Sequence, residues 1–308
     1  MASKTGEGAE GLGSDDLKRM LASAIAGQPR ELAFWLARFG GQPSPRVNFD
    51  LASGFGAEAA AQGERALKVL AHFAGNDAAP DTSEVFLPMA AAYGYAHLLA
   101  RGRTGEIAWE ALHELAADER APVRIATGQA LIDLAAKKGA DALVAHAEEW
   151  LADEDRERRW GSLAVTCDVL AERRALDALT DRERWLTVLT ALLNDVADAP
   201  RAAERSDARR RVCASLPAPI ALAAQSFRGT PSGIAWLEER CREAKHVDVR
   251  SVLQHAIDRL RKRGASEKVE TLAQLGAALA SSAKPPRDPA RIREGLTGRG
   301  KKHRHRGA

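Results

Sequence analysis

Histidines and cysteines could bind a transition metal, and their spacing indicates whether they do. Six histidines are scattered through the body of the chain: His72, His97, His113, His146, His246 and His255. They form no HExxH motif and no i,i+4 pair, which are the arrangements that place two imidazoles on one helix face. The three cysteines, Cys167, Cys213 and Cys241, form no CxxC pair. We therefore predict no metal, no cofactor and buried free thiols, which are typical of the cytosol.

The motifs of common catalytic sites are also absent from the sequence. There is no GxxxxGK[ST] phosphate loop, no GxGxxG after a predicted strand and no GxSxG turn. These absences argue against nucleotide hydrolysis and α/β-hydrolase chemistry. We predict no catalytic residue and a protein that is not an enzyme.

Positive charge is concentrated at the C-terminal end. Residues 284–308 carry a net charge of +7 against +3 for the whole chain, so the remaining residues carry −4. Such a basic segment buries too little apolar surface to fold, so we expect a disordered tail that is free to bind a nucleic acid or another polyanion. The candidate polyanion-binding residues are Arg299, Lys301, Lys302, Arg304 and Arg306.

The elements that position these residues are predicted to be helices arranged in a repeat. The chain is rich in Ala, Leu, Arg and Glu, which favour helices, and poor in β-branched and aromatic residues. Residues 106–139 have the pattern of a helix, a polar turn and a second helix, and residues 141–174 repeat it. Asp118 and Asp153 are 35 residues apart, as are Arg124 and Arg159. A fixed period of this length is typical of stacked helix pairs.

The repeat divides the chain into four predicted regions. Residues 1–13 are expected to be a disordered lead-in without the apolar segment of a secretory signal. Residues 14–80 form an N-terminal helical region of capping or divergent repeats. Residues 81–283 contain the repeats and a C-terminal capping helix, and residues 284–308 are the tail. The apolar runs are too short to span a bilayer, so we predict a cytoplasmic protein.

Within these regions the apolar pattern predicts particular helices. Residues 14–25, 30–39 and 57–74 are expected to be helical, with Gly54 and Gly56 loosening the stretch before the third helix. A capping box at Asp81 is expected to open a helix that continues to residue 100, with an early kink at Pro88.

A turn acid followed by an arginine recurs along the chain and resembles the HEAT-type α-solenoid family over residues 81–264. The matching residues are Asp118 with Val123-Arg124, Asp155 with Arg158-Arg159, and Asp248 with Val249-Arg250. The resemblance implies an all-α, right-handed superhelix of about five antiparallel helix pairs. It also implies a ladder of acids and arginines between neighbouring repeats, with the candidates Asp118, Arg124, Asp155, Arg159, Asp248 and Arg250.

Four tryptophans, Trp109, Trp150, Trp185 and Trp236, are each expected on the first helix of a pair. The alkylpurine DNA glycosylases, a HEAT-like family, use aromatic and acidic side chains on a concave DNA-binding face. The sequence has no tight Trp-Trp-Asp-type cluster to carry that role, so we interpret these tryptophans as core residues. Fold alone does not determine function in such families.

The sequence therefore favours a non-enzymatic interaction scaffold that binds a protein partner through the solenoid surface. One alternative is a nucleic-acid-binding solenoid, in which the tail and the arginine ladder both contact phosphates. A less favoured alternative is the DNA glycosylase. The charge of the concave face would discriminate between them, because a positive face favours nucleic acid, whereas a neutral or acidic face favours protein.

Overall fold

The computed structural model describes residues 14–44, 46–225, 233–262 and 269–281. These residues are predominantly helical and contain no strand, which confirms the prediction of an all-α protein. The helices of the N-terminal half are α1 (Ser14–Ile25), α2 (Arg30–Phe39), α3 (Phe49–Gln62), α4 (Leu67–Ala74), α5 (Phe86–Ala100), α6 (Gly105–Ala117), α7 (Ala121–Lys138) and α8 (Asp141–Leu151). Those that follow are α9 (Arg156–Leu170), α10 (Arg173–Leu176), α11 (Arg182–Ala197), α12 (Asp207–Ser215), α13 (Pro217–Ala224), α14 (Ile234–Glu243), α15 (Val247–Lys262) and α16 (Val269–Ser281).

Polar side chains define the starts of several helices. Asp155 precedes α9 and accepts hydrogen bonds from the backbone N–H groups of Glu157 and Arg158. Asp181 caps α11 in the same way, by accepting from the N–H of Arg184 at 3.0 Å. These contacts satisfy donors that lack a partner within the helix, and they fix where each helix begins after its turn.

Two helices of the N-terminal half, α3 and α5, differ from their predicted bounds. Helix α3 begins at Phe49, where Asn48 accepts from the N–H of Leu51 at 3.0 Å, and a 3₁₀ turn separates it from α4. Helix α5 begins at Phe86 after a 3₁₀ turn at Ser83–Val85, so Asp81 does not cap it. Pro88 lies in the first turn of α5, where a missing N–H costs no intrahelical hydrogen bond.

Helix contacts connect distant parts of the chain through one continuous core. Helix α5 packs against α3 and α7, α7 packs against α9, α9 packs against α12, and α13 packs against α15. Helix α6 packs against α5, α7 and α9, while α8 packs against α9 and α11. The backbones of α6 and α9 approach closely at Gly161, where a Cβ atom would lie 2.8 Å from Ala117 Cα. No described helix is long and apolar enough to cross a membrane.

Candidate functional site

The first predicted ladder position lies in the turn between α6 and α7. Arg124 Nη1 donates to the carbonyl of Asp118 at 2.6 Å, within the turn that precedes its own helix. The Asp118 carboxylate instead accepts from Arg120, at 2.9 Å from Nε and 2.6 Å from Nη2. Arg120 Nη1 also donates to the carbonyl of Asn76 at 2.7 Å. Arg120, rather than Arg124, therefore connects this turn to the preceding part of the fold.

The second position forms a contact between helix pairs. Arg159, whose exposed fraction is 8%, donates from Nε and Nη2 to the carboxylate of Asp195 on α11, at 3.2 and 2.8 Å. Its Nη1 donates to the carbonyl of Asp153. Trp160 Nε1 also donates to Asp195, at 2.6 Å. The structure thus brings Arg159 to an acid on a later helix, whereas Asp155 serves as the cap of α9.

The third position pairs residues that the sequence pattern did not combine. Asp248 lies 2.6 Å from Nη1 of Arg209, an arginine of α12 with an exposed fraction of 4%. Arg209 Nη2 also donates to the carbonyl of Val196 at 3.2 Å. Arg250, the predicted partner of Asp248 in the motif, donates to the carbonyl of Leu279 on α16 at 2.7 Å. At two places, then, a buried arginine near the start of a helix contacts an acid on a later helix.

A groove with a volume of about 1240 Å³ follows the turns before α5, α7, α9 and α12, and we call it the turn groove. Its charged lining residues are the acids Asp77, Glu114, Asp118, Glu119, Asp155, Glu157 and Asp207 and the bases Arg120, Arg158 and Arg211. Carboxylates therefore outnumber guanidinium groups by seven to three. At neutral pH this surface attracts cations and repels phosphate groups.

Four aromatic rings meet between α6 and α8, and we call them the Trp–His stack. Trp109 and His113 of α6 lie against His146 and Trp150 of α8. The ring centroids are 4.3 Å apart for Trp109 and His146, and 4.7 Å apart for His113 and Trp150, which are nearly parallel at 12°. The two indoles meet edge to face, 6.2 Å apart. In both Trp–His pairs the two residues are 37 positions apart in the sequence. The first ring of α6 therefore meets the first ring of α8, and the second meets the second.

The Trp–His stack lines a cavity of about 440 Å³, which we call the stack pocket. Its charged lining residues are Glu106, Glu110, Glu149, Asp153 and Arg158. Trp109, Trp150 and His113 form a buried floor, with exposed fractions of 8%, 5% and 2%. Trp109, Trp150 and Asp153 are far apart in the sequence, but the fold brings all three to this cavity.

The polar groups at the base of the stack pocket differ in whether they have hydrogen-bond partners. Asp153 Oδ2 accepts from Arg158 Nε at 2.5 Å, and Arg158 Nη1 also donates to Glu110 at 3.0 Å. His113 Nε2 lies 3.6 Å from Asp153 Oδ2, beyond hydrogen-bond distance, and has no hydrogen-bond partner among the described residues. Burial, and then the nearby Arg158 charge, lower the pKa of His113. His113 is therefore a neutral, buried imidazole with one unused ring nitrogen.

Asp153 and Arg158 are held in their charged forms. Burial alone would raise the pKa of Asp153, but hydrogen bonds from Arg158 and the Asp155 amide lower it overall. The pKa of Arg158 is raised, chiefly by its hydrogen bonds to Asp153 and Glu114. This ion pair fixes the base of the pocket and leaves the carboxylates at its rim.

Other residues that the sequence singled out lie apart from these two cavities. Trp185 is buried with an exposed fraction of 1%, and Trp236 Nε1 donates to Thr190 Oγ1 at 2.9 Å. The cysteine Cys167 is buried, as is Cys241, whose pKa burial raises to about 11. In the described ranges no group of three His, Cys, Asp or Glu residues could hold a metal ion. The candidate polyanion-binding residues, Arg299, Lys301, Lys302, Arg304 and Arg306, lie outside the described residues.

No protein-family model matches the chain, and no curated protein matches its sequence. The sequence-based prediction misses the stack pocket because His–His spacing alone does not reveal it. One sequence pattern does point to it. Trp109 and His113 are four residues apart, and His146 and Trp150 have the same spacing with the histidine first.

Proposed function

We propose that this chain is a HEAT-like α-solenoid that works as a non-enzymatic interaction scaffold for a protein partner. The order of helix contacts, from α5 to α7, α9 and α12 and then from α13 to α15, supports a stack of helix pairs. The contacts of Arg159 with Asp195 and of Arg209 with Asp248 support it further, because each joins a helix to a later one. Such arrays present long continuous surfaces, which suit the binding of extended partners.

The excess of acids in the turn groove is the observation that favours a protein partner over a nucleic acid. Duplex DNA is a dense polyanion, and proteins bind it by neutralising phosphates with lysine and arginine. Seven carboxylates against three guanidinium groups would oppose that contact. A basic segment of a partner protein has the complementary charge, which steers association and favours this partner over acidic ones.

Peptide and DNA binding to the same surface test the proposal. Fluorescence anisotropy would measure how residues 1–283 bind a lysine-rich peptide and a duplex DNA. We expect binding of the peptide and not of the DNA. The double substitution Asp77→Asn/Glu119→Gln, at two exposed acids of the groove, should weaken peptide binding by about fivefold, because each rim charge contributes modestly. Glu64→Gln, at an exposed acid outside the groove, is the matched control.

The C-terminal segment is proposed to bind an anionic partner separately. Residues 284–308 carry a net charge of +7, so full-length protein should bind duplex DNA weakly and without sequence preference. Its affinity should fall steeply with salt, at a log–log slope of about −0.9 for each phosphate neutralised. Residues 1–283 should show no such binding. DNA binding that survives the truncation would move the site to the solenoid and favour the nucleic-acid-binding alternative.

One observation also favours the glycosylase as a second candidate, namely the meeting of Trp109, Trp150 and Asp153 in the stack pocket. Four carboxylates surround the cavity and would repel a DNA backbone, so we rank this function below the scaffold. The test is release of purine bases from methylated duplex DNA. We expect none. Release that is lost in Asp153→Asn would overturn the scaffold proposal.

A further inference from the structure

We propose that the stack pocket binds the ammonium group of a lysine side chain presented by the partner protein. This inference rests on the proposed scaffold function and names one contact that the partner makes. It depends on three features of the pocket: its ring-lined floor, its acidic rim and the unused nitrogen of His113.

The ring-lined floor and the acids both select a cation. The faces of indole rings attract cations through the negative part of their quadrupole, and Trp109 and Trp150 both line the cavity. Four carboxylates and one guanidinium line it as well, so an anionic group would be repelled. A volume of about 440 Å³ accommodates the end of a side chain and far exceeds the space of a single water molecule.

The rim provides carboxylates that are not already committed to Arg158. Arg158 forms ion pairs with Asp153, Glu110 and Glu114, so these acids already have a cationic partner. Glu149 accepts a 2.6 Å hydrogen bond from His146 Nδ1 at the surface, and Glu106 is exposed. An ammonium group at this edge would gain two carboxylates without displacing Arg158.

His113 makes the pocket selective for an ammonium group that carries hydrogen. Its side chain is almost completely buried and lines the cavity, and its Nε2 has no hydrogen-bond partner among the residues that the structure describes. In the neutral tautomer that carries its hydrogen on Nδ1, Nε2 is an acceptor. A buried acceptor without a partner is costly, so a ligand N–H that reaches it is favoured. Lysine and dimethyllysine have such a hydrogen, whereas trimethyllysine has none.

Titrations of the full-length protein with single amino-acid amides test the inference. The probes are the N-acetyl methylamides of lysine, dimethyllysine, trimethyllysine and ε-acetyllysine, with spermidine as a free polyamine. Indole N–H resonances, assigned through Trp109→Phe and Trp150→Phe, report binding. We expect saturable shifts at both tryptophans with lysine and dimethyllysine, and about threefold weaker binding of trimethyllysine because it lacks the hydrogen bond. Acetyllysine, which is uncharged, should cause no shift.

Variants identify the groups responsible. His113→Phe keeps a stacked ring but removes the acceptor, so it should abolish the preference for dimethyllysine over trimethyllysine. Glu106→Gln/Glu149→Gln changes exposed residues and should weaken binding of lysine and dimethyllysine by about tenfold. This second variant keeps the test available if His113→Phe does not fold. Glu64→Gln should bind like the unmodified protein.

Several results would overturn this inference, and they can be distinguished from results that would refute the scaffold function. Absence of saturable shifts, equal shifts with acetyllysine, or equal binding of di- and trimethyllysine would each refute the ammonium site. Tighter binding of spermidine than of the lysine amides would indicate a free polyamine instead of a partner's lysine. If lysine-rich peptides bind the turn groove while the amides do not bind the stack pocket, only this inference fails.

Discussion

Removing the carboxylate of Asp195 should destabilise the protein strongly, because it leaves a buried charge without its partner. Arg159 has an exposed fraction of 8%. In Asp195→Ala its guanidinium retains the hydrogen bond to the Asp153 carbonyl but loses the carboxylate, and Trp160 Nε1 loses its acceptor. Breaking a fully buried ion pair costs about 3–5 kcal/mol. The Asp195 side chain is 21% exposed, so we expect about 2–3 kcal/mol for the charge and about 1 kcal/mol for the indole.

Urea unfolding and thermal melting followed by circular dichroism would measure this effect. A total loss of about 3–4 kcal/mol corresponds to a decrease in Tm of about 5–8 °C for a chain of this size. In a double-mutant cycle with Arg159→Ala, the loss in the double variant should be smaller than the sum of the single losses by about 1–3 kcal/mol. Arg242→Ala removes an arginine whose side chain is 63% exposed and should cost at most about 1 kcal/mol. If Asp195→Ala costs no more than Arg242→Ala, the contact between α9 and α11 does not stabilise the fold.

Two other predictions concern protonation and close packing. Burial lowers the pKa of His97 and His113 below the unfolded value of 6.5, so the unfolded chain binds more protons just below that pH. The unfolding free energy should therefore fall as the pH decreases from about 7.5 to about 5.5, and the decrease should be smaller in His97→Gln/His113→Gln, as measured by urea unfolding at each pH. Gly161→Ala places a Cβ atom 2.8 Å from a Cα atom of α6 and should cost about 1–3 kcal/mol in the same assay. Gly54→Ala, at an exposed position of α3 with no described atom within 4 Å, should be neutral or stabilising by about 0.5–1 kcal/mol; equal losses in both would contradict the packing argument.

The apolar pattern predicts helices well where they are amphipathic and bounded by clear signals. Helices α1 and α2 have the bounds that the sequence predicts, because apolar residues recur on one face between polar or glycine termini. Helix α3 begins eight residues before its predicted start, since Gly54 and Gly56 indicate a loose segment when only local propensity is considered. In the structure Gly56 allows α3 to approach α5, because a Cβ atom there would lie 2.7 Å from the backbone of Tyr93.

The candidate site is harder to predict because its residues come from different helices. Trp109 and Trp150 each follow the apolar stripe of their own helix, and this pattern is typical of a core residue. Neither stripe indicates that α6 and α8 lie side by side in matching order, which is what brings the indoles within 6.2 Å. Likewise, no local pattern shows that His113 Nε2 is buried without a hydrogen-bond partner among the described residues, since that property depends on where Asp153 and Arg158 point.

The arginine contacts show the same separation between local position and tertiary partner. Arg124 and Arg159 occupy equivalent positions in their helices, 35 residues apart, yet Arg124 bonds its own turn while Arg159 reaches Asp195. The difference lies in the acid. Helix α11 carries Asp195 within reach of Arg159, whereas the position 35 residues before Asp195, which would be the equivalent partner of Arg124, is Trp160. A repeat period therefore predicts the position of an arginine within its helix. Its acidic partner depends on a residue of another helix, whose identity the period does not determine. For this reason, substitution of the acids tests the stacking of helix pairs more directly than substitution of the arginines.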